Sequence, residues 1–471
     1  MITHKEWFSV DKEGLKELQS GKPKHYILRE LIQNAWDEPI TECNVTIEKK
    51  DEFVMITVKD DSPIGFRDLK DSYTLFGHTY KRKDPEKRGR FNIGEKQAFS
   101  ICEECIVTTT KGTVIFNNEG RKHTTTKTKK GTVVGVKLKA TEQECGEMIN
   151  TVMNYLVPKN IKFTVNGVVI SYRTSLKEFQ AKLLTEWEKD NVFRRSQRLT
   201  TVHVFKPSEQ GKSTLYEMGI PVTEIECDFD IDVQQKIPLS VDRETVLQSF
   251  LKDLYAEVLN QMHNEIEGDR SSQTWIRTGM TDERIQEEAV KDIITKRYGD
   301  KVCVANPFDK ISVDEAISHG YNVIKGTEMS KEEWDAVKQA NMIPSSSELF
   351  GHSFTDSDII TNITENQKAT ANYAKKIAKR LLNLDLKVQF VRSKASMMAG
   401  FGDGTLTFNL SNLPKTFFDQ PISVITTDLI IHELGHFSGM HTEKKYHELL
   451  TKLAGELVIL ALTEPEFFEV S

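Results

Sequence analysis

Residues 24–38, HYILRELIQNAWDEP, set Ile27, Leu31 and Ala35 at helical spacing on one face, while Glu30, Asn34 and Asp37 follow a parallel polar track. The pattern predicts one helix with an apolar stripe and a polar stripe. The period then shortens to two. In NVTIEKK and EFVMITVKD, Val54, Ile56, Val58 and Asp60 share one strand face, which predicts a hairpin ending at a carboxylate. A basic, glycine-containing loop from Gly77 to Gly94 leads into another helix and three β-rich runs, so residues 1–145 read as an α/β sandwich.

Downstream, a helix, the strands KFTVNGVVISY, TVHVF and IECDFDIDV, and a long helix after Pro238 predict a second α/β unit over 146–265. The polar run SSQTW marks its end. Residues 266–345 hold a small module that alternates helices with the strands KVCVAN and YNVIKG, and Pro344 followed by three serines reads as its exit linker. Residues 346–471 begin with a helix carrying Tyr373, Ile377 and Leu381, continue through VQFV and TLTFNL, and end in two helices around HELGH. The fold class expected is an α+β multidomain protein of four domains.

Composition narrows the function classes. Charged residues make up 28% of the 471, yet the net charge is only −7, so no bulk field points to nucleic acid or to a membrane surface. With no basic-then-apolar leader and no apolar run near the ~20 residues that cross a bilayer, a cytoplasmic protein is expected. Six cysteines over this length make no disulfide framework. The close pair Cys102 and Cys105 lacks a second CxxC and reads as packing.

Hydrolysing ATP requires a carboxylate to position water, an oxygen ligand for Mg²⁺, an acceptor for the adenine amine, and backbone amides around the phosphates. Glu30, Asn34 and Asp37 stand at i, i+4 and i+7 of one helix and project into one space. Asp60 keeps the inward parity of Val54, Ile56 and Val58 and is preferred over Asp61 as the adenine acceptor. Glycines at 65, 89 and 94 give the backbone freedom that phosphate-cradling loops need, and Lys96 follows close behind.

These segments resemble the gyrase, heat-shock chaperone, histidine kinase and MutL (GHKL) superfamily of ATPases, whose nucleotide domain is the Bergerat-type α/β sandwich. ELIQNAWDE is similar to the family's N-box, which implies Glu30 as the base that orients water and Asn34 as the Mg²⁺ ligand. KDDSPIGF stands where the family has Asp-x-Gly-x-Gly, with Ser62 replacing the first glycine and one extra residue before Gly65. GRFNIGEKQAFSI resembles the MutL-type lid, which implies Gly89 and Gly94 as its flanks and Lys96 near the phosphates. In KKGTVVGV, Gly131-Thr132 matches the Gly-Thr that closes the domain and brings the Thr132 hydroxyl toward adenine. QQKIPLSVDRETV resembles the chaperone segment of the second, transducer domain, which implies Arg243, with Lys236 the other candidate, as the γ-phosphate contact. The resemblance further implies dimerisation on ATP binding.

LIIHELGHFSGMHTEKKYHELL packs four of the twelve histidines into sixteen residues. On a helix, His432 and His436 lie one turn apart and can bind one Zn²⁺ through neutral imidazoles, while Glu433 serves as general base toward the attacking water. Leu429, Ile430 and Ile431 anchor the helix, Gly435 and Gly439 permit a tight exit, and TLTFNL is expected as the edge strand that receives an extended substrate. The pattern over 365–462 resembles the zincin metallopeptidases. The metzincin spacing would put a third histidine at Thr442, one position beyond His441. His441 ranks first as third ligand, Glu456 second and His447 third.

The sequence therefore leads to an ATP- and Mg²⁺-dependent ATPase that gates a zinc metallopeptidase acting on a protein substrate. The competing reading is a chaperone-like or clamp-like ATPase with a structural or inert zinc site. A DNA-acting enzyme is disfavoured, because the chain carries neither an acidic metal-binding cleavage module nor a basic stripe.

Overall fold

The computed structural model describes residues 10–19, 21–189, 192–208, 213–240, 245–306, 310–340, 343–350, 358–393, 397–439, 441 and 444–469. The chain divides into two compact units, Met1–Gln261 and Met262–Ser471.

The first unit opens with helix α1 (Lys12–Glu17), followed by α2 (Tyr26–Trp36). Helix α2 buries Ile27, Leu28, Leu31, Ile32, Ala35 and Trp36, and turns its polar track away from that core. Strands β1 (Glu42–Lys50) and β2 (Phe53–Asp60) form the expected hairpin, with Lys50 opposite Phe53 and Cys43 opposite Asp60. Alternation then puts Val54, Ile56, Val58 and Asp60 on the buried face. Helix α3 (Gly94–Ser100) precedes β3 (Glu104–Thr109), β4 (Gly112–Asn117), β5 (Gly120–Thr124) and β6 (Val133–Lys139).

The first sheet does not stop at residue 145. A capping box of Thr141 and Glu144 starts helix α4 (Glu142–Met153), which runs through the boundary expected there. Strands β7 (Lys162–Val165) and β8 (Val168–Ile170) then join the sheet, because Glu42–Val45 of β1 pairs in parallel with β7. The order is β5-β4-β3-β6-β2-β1-β7-β8. Cys145, Met148 and Val152 of α4 pack in the same core as α2. Cys102 and Cys105 are buried there too, as packing groups.

A second sheet of the same unit has the order β12-β11-β13-β10-β9. Its strands are β9 (Lys177–Lys189), β10 (Val192–Phe205), β11 (Ser213–Glu217), β12 (Ile220–Ile225) and β13 (Asp230–Val233). Helix α5 (Gln248–Met262) follows.

In the second unit, α6 (Thr274–Met280) and α7 (Glu287–Tyr298) lead into the parallel strands β14 (Val302–Val304) and β15 (Asn322–Ile324), crossed over by α8 (Lys310–Ser318). Helix α9 (Lys331–Gln339) is fixed by Glu333, which caps its own helix with Ser330 and receives Arg277 at 2.9 Å and Arg297 at 3.1 Å. Helix α10 (Ser346–Phe350) and α11 (Glu365–Leu382) follow, the latter burying Tyr373 and Ile377. Strands β16 (Lys387–Val391), β17 (Ala399–Gly402) and β18 (Thr405–Asn409) form a sheet in the order β16-β18-β17, against which α12 (Val424–Gly435) and α13 (Lys444–Thr463) share a core. TLTFNL is thus the central strand and not the edge: β18 pairs on both sides, and among the described residues β16 and β17 are the outer strands.

Candidate functional site

The polar track of α2 opens onto a cavity of about 310 Å³. Glu30, Asn34, Gly65, Gly89 and Gly94 line it. Glu30 is only 3% exposed and sits over the start of α3: a Cβ on Gly94 would lie 1.7 Å from its Oε2. Only glycine admits that approach. Asn34 lends its carbonyl to Lys81 Nζ at 3.3 Å.

Asp37 is fully buried and does not line the cavity. Its Oδ1 accepts the Arg88 amide at 2.9 Å and the Arg88 guanidinium at 3.1 Å, and its Oδ2 accepts the Gly89 amide at 2.9 Å. Burial alone would raise its pKa, but Lys81, Arg88 and these amides hold it below the ordinary value. Asp37 therefore anchors the loop that carries Gly89.

Asp60 and Asp61 occupy different surroundings. Asp60 is buried, and its Oδ1 accepts the amides of Ser62 at 2.9 Å and Thr132 at 3.1 Å. Burial pushes its pKa up to about 6 against those amides. Gly131, at φ 74°, passes so close to Asp60 that a Cβ on it would lie 2.0 Å from the Asp60 carbonyl oxygen. Asp61 spends Oδ1 on the amides of Thr41 and Glu42 and Oδ2 on the Thr41 hydroxyl. Burial, the largest single influence, would raise its pKa, but those bonds together with Lys130 lower it to about 2. Neither aspartate, nor Thr132, lines the cavity.

Lys96 is buried and ties together the Asp71 carbonyl, Asn92 and Glu95, three groups of the cavity wall, without lining the cavity itself. Lys236 is also buried: its Nζ donates to the carbonyls of Lys81 at 2.6 Å and Asp84 at 2.8 Å, and burial lowers its pKa to about 8. Arg243 lies outside the described residues.

Several cavity residues carry no signal in the sequence pattern. Tyr80 donates to Glu38 at 3.0 Å, Lys81 pairs with Glu38 at 3.0 Å, and Arg67 stacks 3.7 Å over the Tyr80 ring. Arg90 leaves the same loop and forks onto Glu217 at 2.9 and 2.6 Å, where both side chains are buried. All come from the aperiodic stretch after β2.

Residues 23–154 match the family model described as "Histidine kinase-, DNA gyrase B-, and HSP90-like ATPase". They form a GHKL-type ATPase domain. The ATPase region of Saccharomyces cerevisiae topoisomerase II is similar at TM-score 0.32 and 15% identity, over 49% of this chain and 78% of that one. The same region bound to ICRF-187 (dexrazoxane) gives TM-score 0.31 and 15% identity, over 53% and 71%. Superpositions this loose add nothing to the domain assignment. No curated protein matches the chain.

The second unit gathers the histidines. Ser423 and Thr426 cap the start of α12, and buried Ile430 and Leu434 fix its roll, so His432, Glu433 and His436 reach a cavity of about 350 Å³. His441 completes a cluster whose ligand atoms all lie within 4.8 Å of one another. Glu456 is instead paired with Lys452 at 3.8 Å, and His447 bonds the His441 carbonyl at 2.8 Å. Neither belongs to the cluster.

The hydrogen bonds set the tautomers. Tyr446 Oη lies 3.1 Å from both Nδ1 and the carbonyl oxygen of His432, so it donates to the carbonyl and accepts from Nδ1–H. His436 Nδ1 faces the Gly439 carbonyl at 3.3 Å. Both rings thus keep Nε2 as the unprotonated nitrogen, and His432 Nε2 stands 3.1 Å from that of His441. Burial lowers all three pKa values, that of His441 to about 3. Three neutral imidazoles around one point suit a divalent cation such as zinc. Burial pushes Glu433 up to about 7, opposed by the amide of Phe401 on edge strand β17. Tyr446, unforeseen in the sequence, closes on Gly435, where a Cβ would lie 2.7 Å from its ring.

Proposed function

We propose that the chain is an ATP hydrolase whose nucleotide cycle gates a zinc metallopeptidase site acting on a protein substrate. In the first unit, Glu30 orients the attacking water, Asn34 ligates Mg²⁺, and Asp60 with Thr132 holds adenine. Lys96, Lys236 and Arg243 remain the candidates for phosphate contact, and nucleotide-driven homodimerisation belongs to the same reading. Gly65, Gly89 and Gly94 shape the loops around the phosphates, and Asp61 supports the strand end beside Asp60.

The observation that carries the peptidase assignment is the convergence of His432, His436 and His441 beside buried Glu433. Zinc held by the three imidazoles would polarise a peptide carbonyl and acidify the attacking water. Glu433 takes the proton from that water and delivers it to the leaving amine. Tyr446 holds the His432 ring in register, and β17, an edge strand among the described residues, would lie beside an extended substrate. The presence of both sites in one chain is what supports the gating.

The test compares wild type with E433Q on a denatured cell lysate, with and without ATP, reading new protein N-termini by mass spectrometry. The proposal expects nucleotide-dependent N-termini that vanish in E433Q while zinc is retained. Identical N-termini from both proteins would overturn the peptidase assignment. Cleavage indifferent to nucleotide would remove the gating and leave a clamp-like ATPase beside an independent peptidase.

A further inference from the structure

Among the described residues the second unit has a cavity larger than the one that holds Glu433. It measures about 1460 Å³ and runs from the carboxyl ends of the parallel strands β14 and β15 to His432 and His441. His432 and His441 also line the smaller cavity with Glu433, so the two spaces meet at the histidine cluster. Ligands of parallel sheets settle outside the strand carboxyl ends, and here that end faces the candidate peptidase site. The volume exceeds the ~300–1,000 Å³ of ordinary small-molecule pockets and suits a stretch of extended chain.

The lining has two kinds of wall. Met329, Val337 and Ile343 are buried apolar groups, and the Trp334 indole is locked by its N–H on the Gly326 carbonyl at 2.9 Å. Around them stand Lys325, Lys331, Lys338 and Lys444, against the single carboxylate of Asp335. Lys444 pairs with Glu448 at 3.5 Å, whereas among the described residues no carboxylate pairs with Lys325, Lys331 or Lys338. Lys338 Nζ instead lies 3.4 Å from His447 Nε2. An apolar floor ringed by uncompensated ammonium groups attracts a bulky apolar side chain carried between carboxylates.

We propose that the α/β module of β14, β15 and α9 is the selectivity wall of the histidine site, and that it seats an acidic peptide segment bearing a bulky apolar residue. In its consequence for cleavage this rests on the metallopeptidase reading; peptide binding itself does not require the metal. The module then has a role: it chooses which segment of a substrate reaches His432 and His441.

The experiment measures fluorescence anisotropy of short labelled peptides on the full-length E433Q protein. One peptide places phenylalanine between glutamates, a second between lysines, and a third replaces phenylalanine with glycine between glutamates. The expected result is at least about tenfold tighter binding of the first than of either other, and loss of that preference in the Lys325→Glu/Lys331→Glu/Lys338→Glu variant. Equal binding of the three peptides by the unreversed protein would overturn the proposal without needing the charge-reversed variant to fold. So would tighter binding of a labelled oligonucleotide than of the acidic peptide. If the preference holds but no N-termini appear in the lysate test, the cleft stands as a peptide site and the peptidase reading alone fails.

Discussion

Glu30 Oε2 and the α-carbon of Gly94 are in such close approach that a Cβ on residue 94 would lie 1.7 Å from the carboxylate. The residue assigned to water positioning is therefore held against the start of α3, which follows the candidate lid. Gly94→Ala is expected to displace Glu30 and lower steady-state phosphate release by about a hundredfold, with a smaller loss in nucleotide binding. Turnover within about twofold of wild type would show that Glu30 does not need this seat.

Asp60 supplies a pH dependence. Its folded pKa of about 6 exceeds the ordinary carboxylate value, so the native protein binds the extra proton between those two values. Asp60's contribution to stability accordingly falls as pH rises through that window. Nucleotide binding runs the other way, since accepting the adenine amine favours the ionised form. ATP affinity measured by calorimetry is expected to drop as pH falls below about 6, and Asp60→Asn should bind weakly with a flatter profile. The comparison removes the titration of the nucleotide itself. Parallel profiles would exclude Asp60 as the acceptor.

Arg90 and Glu217 join the candidate lid to strand β11 through a buried, forked ion pair. Removing one partner leaves the other charge buried, so Arg90→Ala should cost about 3–5 kcal/mol in urea denaturation of the first unit. A joint Arg90→Met, Glu217→Leu change should recover most of that loss. A single variant as stable as wild type would mean that water reaches Glu217.

Tyr446→Phe keeps the ring that packs on Gly435 and removes the hydroxyl on His432. Zinc affinity, measured against a chelating dye, is expected to fall by about 10–100-fold with the helical signal unchanged. Unaltered affinity would place His432 outside the metal site.

The readable and unreadable parts of the chain separate by periodicity. Val54, Ile56, Val58 and Asp60 declare their face through a period of two, and Ile27, Leu31 and Ala35 declare theirs through helical spacing. The HExxH pair is legible because a single helical turn sets its geometry. Arg67, Tyr80 and Lys81 come from a segment without a repeat, so nothing local indicates that they surround Glu38. Tyr446 reaches His432 only because α12 and α13 close at Gly435, a tertiary fact. The central place of β18 depends on partners on both sides, one of them β16 across a connection that no local pattern encodes. The continuation past residue 145 was marked, however: Thr141 and Glu144 spell a capping box, and the helix they start runs on to Met153.

The most direct test of the central claim is elemental analysis of zinc in freshly purified protein and in His436→Ala. The account predicts about one zinc per chain in the wild type, lost in the variant while ATP hydrolysis persists. A wild-type protein that holds no zinc after reconstitution, yet still hydrolyses ATP, would contradict it and leave the output of the ATPase domain purely conformational.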